Sequence, residues 1–183
     1  TSVAESGTTD TFTIVLDAQP TSDVVLSISS SDSTESTVTS LLTFSNGNWD
    51  TPQTVTVTGV DDSIIDGTIS STITVSVNDG SSDNDFDAVA DQTVTATTTD
   101  DDVAGFTIAE SGGSTSVAES GTTDTFTVVL NAQPASDVVL SISSSDTGEA
   151  TVTSSLTFTN GNWDTPQTVT VTGVDDSIID GTI

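Results

Sequence analysis

In the first half of the chain, apolar residues alternate with Thr and Ser in five short runs. They are TFTIVL (11–16), DVVLSI (23–28), TVTVT (54–58), STITVSV (71–77) and QTVTATT (92–98). Alternation with period two, in runs rich in β-branched residues, turns one face of each run to a core and the other to water. That pattern predicts strands, and no stretch shows a helical period. Turn-rich DAQPTS, SNGNWD and NDGSSDND separate some of the runs. Pro20 and Pro134 stand at turn corners, and Asn46-Gly47 and Asn160-Gly161 mark tight turns. Short strands at roughly regular spacing predict an all-β sandwich.

The second half restates the first. Residues 1–69 align without gaps on 115–183, and Trp163 lies 114 residues after Trp49. The copies differ at eight positions: Ile14/Val128, Asp17/Asn131, Thr21/Ala135, Ser33/Thr147, Thr34/Gly148, Ser36/Ala150, Leu41/Ser155 and Ser45/Thr159. A period of 114 residues suits one whole domain per repeat and is long enough to bury a core. About 1.6 repeats are present, in an order that reads as a section of a longer tandem array. The expected units are 1–102, a sandwich lacking its first strand, and 103–183, a second one truncated before its last strands. The copies also assign faces. Leu41 becomes Ser155 while Leu42 and Leu156 stay apolar, so 41 faces water and 42 and Phe44 face the core. Phe12, Ile14 and Leu16 are expected inward, as are Val24, Leu26 and Ile28, and Ile73, Val75 and Val77.

Charge changes this picture. The chain has 28 Asp and Glu and no Lys, Arg or His, a formal charge of −28. No cationic side chain exists to neutralise a carboxylate, and unpaired neighbouring carboxylates resist ionisation. The counter-ion must come from solvent, as Ca²⁺, another divalent cation or concentrated salt. A field of this sign excludes nucleic acid and anionic membrane surfaces as partners, and no apolar run approaches a membrane span. The chain has no Cys, so thiol catalysis and zinc–thiolate sites are absent.

The acids that stand out lie at strand ends: Glu5 in VAESG, Asp61, Asp62 and Asp66 in VDDSIIDG, and Asp100, Asp101 and Asp102 in TTTDDDVAGF. A sandwich gathers strand ends at two poles, where acids distant in sequence meet. Ca²⁺ takes six to eight oxygens from carboxylates, carbonyls and water. DDSIID offers closely spaced carboxylates with the Ile64 carbonyl between them. Solvated loop charge is the bland alternative for any single pair.

VAESG near the first strand, LTFSNGNWDTPQTVTVTGVDDSIIDG in mid-domain and the closing TVTATTTDDDVAGFTIAES together resemble the Calx-beta domain. That family includes the calcium-sensing domains of sodium–calcium exchangers and repeats of bacterial surface proteins and giant adhesins. The resemblance spans the whole repeat and implies tandem immunoglobulin-like Greek-key sandwiches with Ca²⁺ at one pole. By position it implies Glu5, Asp61, Asp62, the Ile64 carbonyl, Asp66, Asp100, Asp101 and Asp102 as ligands. In the second copy it implies Glu119, Asp175, Asp176, the Ile178 carbonyl and Asp180. Glu110 and Glu119 are further candidates to contribute from the following domain. The chain departs from the family after VDDSIID, where GT replaces the further acids of the exchanger domains. Glu35 and Glu149 lie near where a mid-domain acid is expected, in a loop too altered for assignment.

Other constellations point less far. DNDFD (Asp83, Asp85, Asp87) opens like an EF-hand loop but lacks the Gly and final Glu at that spacing. An acidic loop tip anchored by Phe86 is the expected reading. Trp49 and Trp163 are expected to cap the sandwich end, with stacking on a glycan as the alternative. Outward Thr rows are expected of ordinary strands.

An enzyme is not expected, since no His, Cys, Lys, Tyr or Arg is present to act as base, nucleophile or oxyanion partner. The leading expectation is a calcium-bound structural extender repeat in a long secreted, surface-attached protein of the adhesin type, stiffened at its inter-domain junctions. Its partners would be neighbouring repeats of the same chain. Self-association into a filament, sheath or surface layer is one alternative, and a glycan-binding module is another.

Overall fold

A computed structural model describes residues 1–177, and the chain divides into two compact units. The first takes residues 1–62 and 66–101; the second takes 63–65 and the chain from Asp102 onward. Each is all-β apart from short 3₁₀ turns.

The first unit runs β1 (Ser2–Ala4), β2 (Thr9–Ile14), β3 (Val24–Ser30), β4 (Ser36–Val38), β5 (Leu41–Phe44), β6 (Gln53–Gly59), β7 (Ile69–Val77) and β8 (Gln92–Thr99). Five strands form one sheet in the order β1-β8-β7-β3-β5, and three form the other, β2-β6-β4. From β2 to β7 the chain changes sheet at every step, which makes the unit an immunoglobulin-like Greek-key sandwich. β1 runs parallel to β8, and the other pairings are antiparallel.

The alternation read from the sequence is what the sheets use. On β3, Val24, Leu26 and Ile28 are buried, and β7 presents Ile73 and Val75 in antiparallel register, Ile28 opposite Val75. Val55 and Val57 of β6 close the same core from the other sheet, with Phe12, Ile14 and Leu16 packed against it. Leu41 is exposed and Phe44 fully buried, as the Leu41/Ser155 difference predicts. Three short strands escape the pattern because β1, β4 and β5 hold only three or four residues each.

The Asn46-Gly47 turn is present, but it carries the chain from one sheet to the other and forms no hairpin. Its geometry comes from Asn48, whose side-chain oxygen accepts from the Ser45 amide and hydroxyl. Trp49 is half-buried, and its carbonyl accepts from the Leu16 amide at 3.1 Å. In the DNDFD stretch Phe86 packs on the core, as expected of an anchor, whereas Asp83 is buried too.

The second unit runs β9 (Phe106–Glu110), β10 (Thr123–Leu130), β11 (Val138–Ser141), β12 (Ala150–Val152), β13 (Ser155–Phe158) and β14 (Gln167–Gly173). One sheet is β12-β14-β10-β9, and β11 pairs with β13. Val128, Leu130, Leu156, Phe158 and Val169 form its core, with Trp163 packed against them. β9 lies antiparallel along the outer edge of β10, the counterpart of β2. No described helix is long and apolar enough to cross a membrane.

Candidate metal centre

The geometry of β1 buries Glu5. Its three residues pair with Thr97–Thr99 of β8, and the Glu5 amide continues the ladder to the Thr99 carbonyl (3.0 Å). The chain then turns sharply through Gly7, whose φ of +79° favours glycine, and the Thr8 hydroxyl accepts from the Ala4 amide (2.6 Å). Gly59, the last residue of β6, completes the seat. A Cβ there would lie 2.0 Å from the Ala4 carbonyl oxygen, so only glycine lets the two backbones approach this closely. The carboxylate that follows Ala4 is thereby held inside the pole, 1% exposed.

Two other segments bring acids to it. Glu35 precedes β4 and is 6% exposed; its carbonyl accepts from the Val60 amide (2.9 Å) and from the buried Thr98 hydroxyl (3.3 Å). The loop after β6 carries Asp66, and the Gly67 amide donates to an Asp100 carboxylate oxygen (2.9 Å) at the end of β8. One carboxylate oxygen from each of Glu5, Glu35 and Asp66 lies within 4.8 Å of the others, and Glu5, Asp100 and Asp102 meet the same condition.

The electrostatics are those of a site short of positive charge. Neither carboxylate oxygen of Glu5 has a hydrogen-bond partner, nor has one oxygen of Glu35. Burial, together with the charges of Asp66, Asp100, Asp62 and Glu35, pushes the Glu5 carboxyl up to about 7. Burial is also the main cause that raises Glu35, followed by Asp66, Asp32 and Asp62. A buried carboxylate normally gathers donors or a cation. Oxygen-only donors of this charge suit a hard cation such as Ca²⁺, and Glu5, Glu35, Asp66 and Asp100 are the residues placed to hold it.

The structure thus gathers Glu5, Asp66, Asp100 and Asp102 from among the residues singled out by sequence, and Asp62 stands near enough to act on Glu5 and Glu35. Asp61 and Asp101 are exposed and join no acidic group among the described residues. Ile64 belongs with the second unit, where it bridges Gln133. Glu110 is exposed on β9, opposite Phe126 of β10.

In the second copy the frame is rebuilt: a Cβ on Gly173 would lie 2.1 Å from the Ala118 carbonyl oxygen, and the Val174 amide donates to the Glu149 carbonyl (2.8 Å). Glu119 and Glu149 are half-buried there, and Asp175 and Asp176 are exposed. Ile178 and Asp180 lie outside the described residues.

Glu35 is the functional candidate that motif reading left unassigned. A signal for it exists in the repeat itself: positions 33, 34 and 36 all change between copies, and the Glu between them stays.

No known protein family matches the sequence, and no curated protein matches it. Solved structures do. The CBD12 region of CALX1.2 is similar at 18% identity over 97% of this chain and 73% of that one, with a TM-score of 0.40. The calcium binding domain CBD12 of CALX1.1 is similar at 17% identity over 96% and 73%, also with a TM-score of 0.40. SSP-19, an MSP-domain protein like family member in Caenorhabditis elegans, is similar at 19% identity over 54% and 91%, with a TM-score of 0.35. No functional statement follows from likenesses this distant.

Proposed function

We propose that this chain is a non-catalytic, calcium-binding structural repeat whose buried acidic pole is completed by Ca²⁺. One observation carries the reading: Glu5 is 1% exposed, its carboxylate has no hydrogen-bond partner, and it faces Glu35 and Asp66 in a chain without a single cationic side chain. A group placed in this way is satisfied by a cation from solvent or by a proton, and at neutral pH in millimolar calcium the cation wins. Extracellular calcium modules bind with dissociation constants of about 10⁻⁴–10⁻³ M, a range that suits a secreted or cell-surface setting.

In a tandem array the acids of TTTDDD close one repeat a few residues before Phe106 opens the next. Calcium held there shortens and stiffens the junction, so the repeat serves as an extender in a long surface protein, with neighbouring repeats as its partners. DDDVA is too short to act as a flexible linker.

The test is thermal unfolding of the full chain with calcium, with magnesium and with excess EDTA. Binding to the folded state alone raises stability by roughly 2.7 kcal/mol when free calcium is 100-fold above its dissociation constant. The expected result is a higher melting temperature in calcium than in either other condition. Identical melting in calcium and EDTA overturns the reading.

A further inference from the structure

The strand that carries Glu5 into the pole is held on its two edges by different means. On one edge β1 pairs with β8: the Thr97 amide donates to the Thr1 carbonyl and the Glu5 amide to the Thr99 carbonyl, each at 3.0 Å. The amides that point the other way meet side chains from the start of β2. Ser2 donates to Asp10 Oδ2 (2.9 Å) and Ala4 to the Thr8 hydroxyl (2.6 Å). An extended strand turns alternate amides to opposite edges, so Asp10 and Thr8 stand where a neighbouring strand would place its carbonyls. Thr8 is fixed in turn, because its carbonyl accepts from the amide of Gly59 (3.0 Å), the glycine against which Ala4 rests.

Asp10 breaks the pattern of its own strand. It continues the inward positions of Phe12 and Ile14 and lies opposite Val57 of β6, where alternation calls for an apolar residue. Its other oxygen accepts from the Thr11 amide (2.8 Å), and the amides of Ser2 and Thr11 hold its carboxyl below the ordinary 3.8. It joins neither acidic group found among the described residues. Its charge is engaged by the backbone of β1, the strand that ends one residue before Glu5.

The second copy repeats the arrangement with β9 in place beside β10. Ser116 donates to Asp124 Oδ2 (2.8 Å), Thr125 to Asp124 Oδ1 (2.7 Å) and Ala118 to the Thr122 hydroxyl (2.6 Å). The Gly173 amide donates to the Thr122 carbonyl (3.0 Å), as Gly59 does to Thr8. The clamp therefore belongs to the repeat itself.

We propose that Asp10 and Thr8 are positioning residues for calcium at the pole: they clamp β1 so that Glu5 stands ready for the ion, and neither is a ligand. The inference rests on the reading of the pole as a calcium site. With the clamp intact, calcium meets a carboxylate already in place. With it cut, β1 is held from the β8 side alone, and binding must also order Glu5, which lowers affinity.

The test follows the Glu5 amide of the full chain by NMR, through a calcium titration and through hydrogen exchange in EDTA. Asp10→Ala is expected to raise the calcium concentration at half-saturation by roughly 10-fold or more, the effect typical of losing a group that orients a metal ligand. It is also expected to speed exchange of the Glu5 amide before any calcium is added. Thr8→Val cuts the clamp without removing a charge, and it carries the test by itself if Asp10→Ala does not fold. It is expected to act in the same direction by a smaller factor, while Thr8→Ser, which keeps the hydroxyl, is expected to bind as the wild type does. A wild type whose Glu5 amide does not respond to calcium overturns the calcium reading, and this inference with it. A wild type that responds, with half-saturation unchanged in both Asp10→Ala and Thr8→Val, overturns the clamp alone and leaves the site standing. Loss in Asp10→Ala with none in Thr8→Val overturns it too, because the charge of Asp10 would then act on the ion directly.

Discussion

Two carboxylates of the first unit are almost equally hidden and are treated in opposite ways. Asp83 is 5% exposed and accepts from the Thr21 amide and hydroxyl, the Ser22 amide and the Asp85 amide, at 2.7–3.1 Å. Hydrogen bonds, with the backbone amides of Ser22 and Asp85 leading, hold its carboxyl at about 2. Glu5 is 1% exposed, its carboxylate accepts from nothing, and its carboxyl is pushed up to about 7. The first is a structural staple that pins the turn after β2 to the loop after β7. The second is held in place by its backbone and left without a counter-charge. One fold therefore distinguishes a carboxylate the protein satisfies by itself from one to which it gives neither a donor nor a counter-charge.

The largest expected effect removes that distinction from the Glu5 side. Glu5→Gln keeps the shape of the side chain and abolishes its charge. The melting increment given by calcium is expected to fall to a small fraction of the wild-type increment. In EDTA the variant is expected to melt above the wild type, because an uncompensated buried charge has gone. Calorimetry in both conditions reads the two shifts. An undiminished calcium increment in Glu5→Gln places the ion elsewhere.

The next effect attacks the other partner. Asp83→Asn leaves one acceptor oxygen for four donors, so Thr21, Ser22 and Asp85 lose charge-assisted bonds in a buried setting. A drop of several degrees in melting temperature is expected, of the same size in calcium and in EDTA. A drop seen only in EDTA would make Asp83 part of a metal site after all.

Why one of these residues was legible and the other was not follows from how each is fixed. Glu5 stands next to a strand too short to show alternation, yet VAESG and DDSIID recur in both copies and, with the Asp triplet at 100–102, mark the pole. The long strands were legible because β3, β6 and β7 each bury alternate residues over seven or more positions. Glu35 was hidden because its burial depends on the Val60 amide and Thr98 hydroxyl, contacts made only when β4, β6 and β8 come together. Asp83 was hidden for the same reason. DNDFD reads as solvated charge until Thr21 and Ser22, some sixty residues earlier, arrive as donors. Asp61 and Asp101 show the converse, since adjacency in sequence brought them near the pole without turning them into it.

The smallest effect is the shape of the stability profile with pH in EDTA, and it follows from the opposite signs of the two shifts. For Asp83 the folded value, about 2, lies below the ordinary 3.8. Its contribution is therefore complete above that ordinary value and is lost as pH falls through about 2. For Glu5 the folded value, about 7, lies above the ordinary 4.5. The folded state keeps a proton that the unfolded chain releases, so stability is complete below 4.5 and is lost as pH rises through about 7. The calcium-free protein is thus expected to melt highest in mildly acid solution and to decline on both sides. Asp83→Asn should shallow the acid decline, and Glu5→Gln should shallow the decline toward neutrality, where raised Glu35 contributes alongside it. Calcium, by compensating the ionised form of Glu5, should flatten the neutral side alone. A profile in which calcium flattens the acid side instead would assign the ion to the carboxylates the protein already satisfies, and the contrast between Glu5 and Asp83 would collapse.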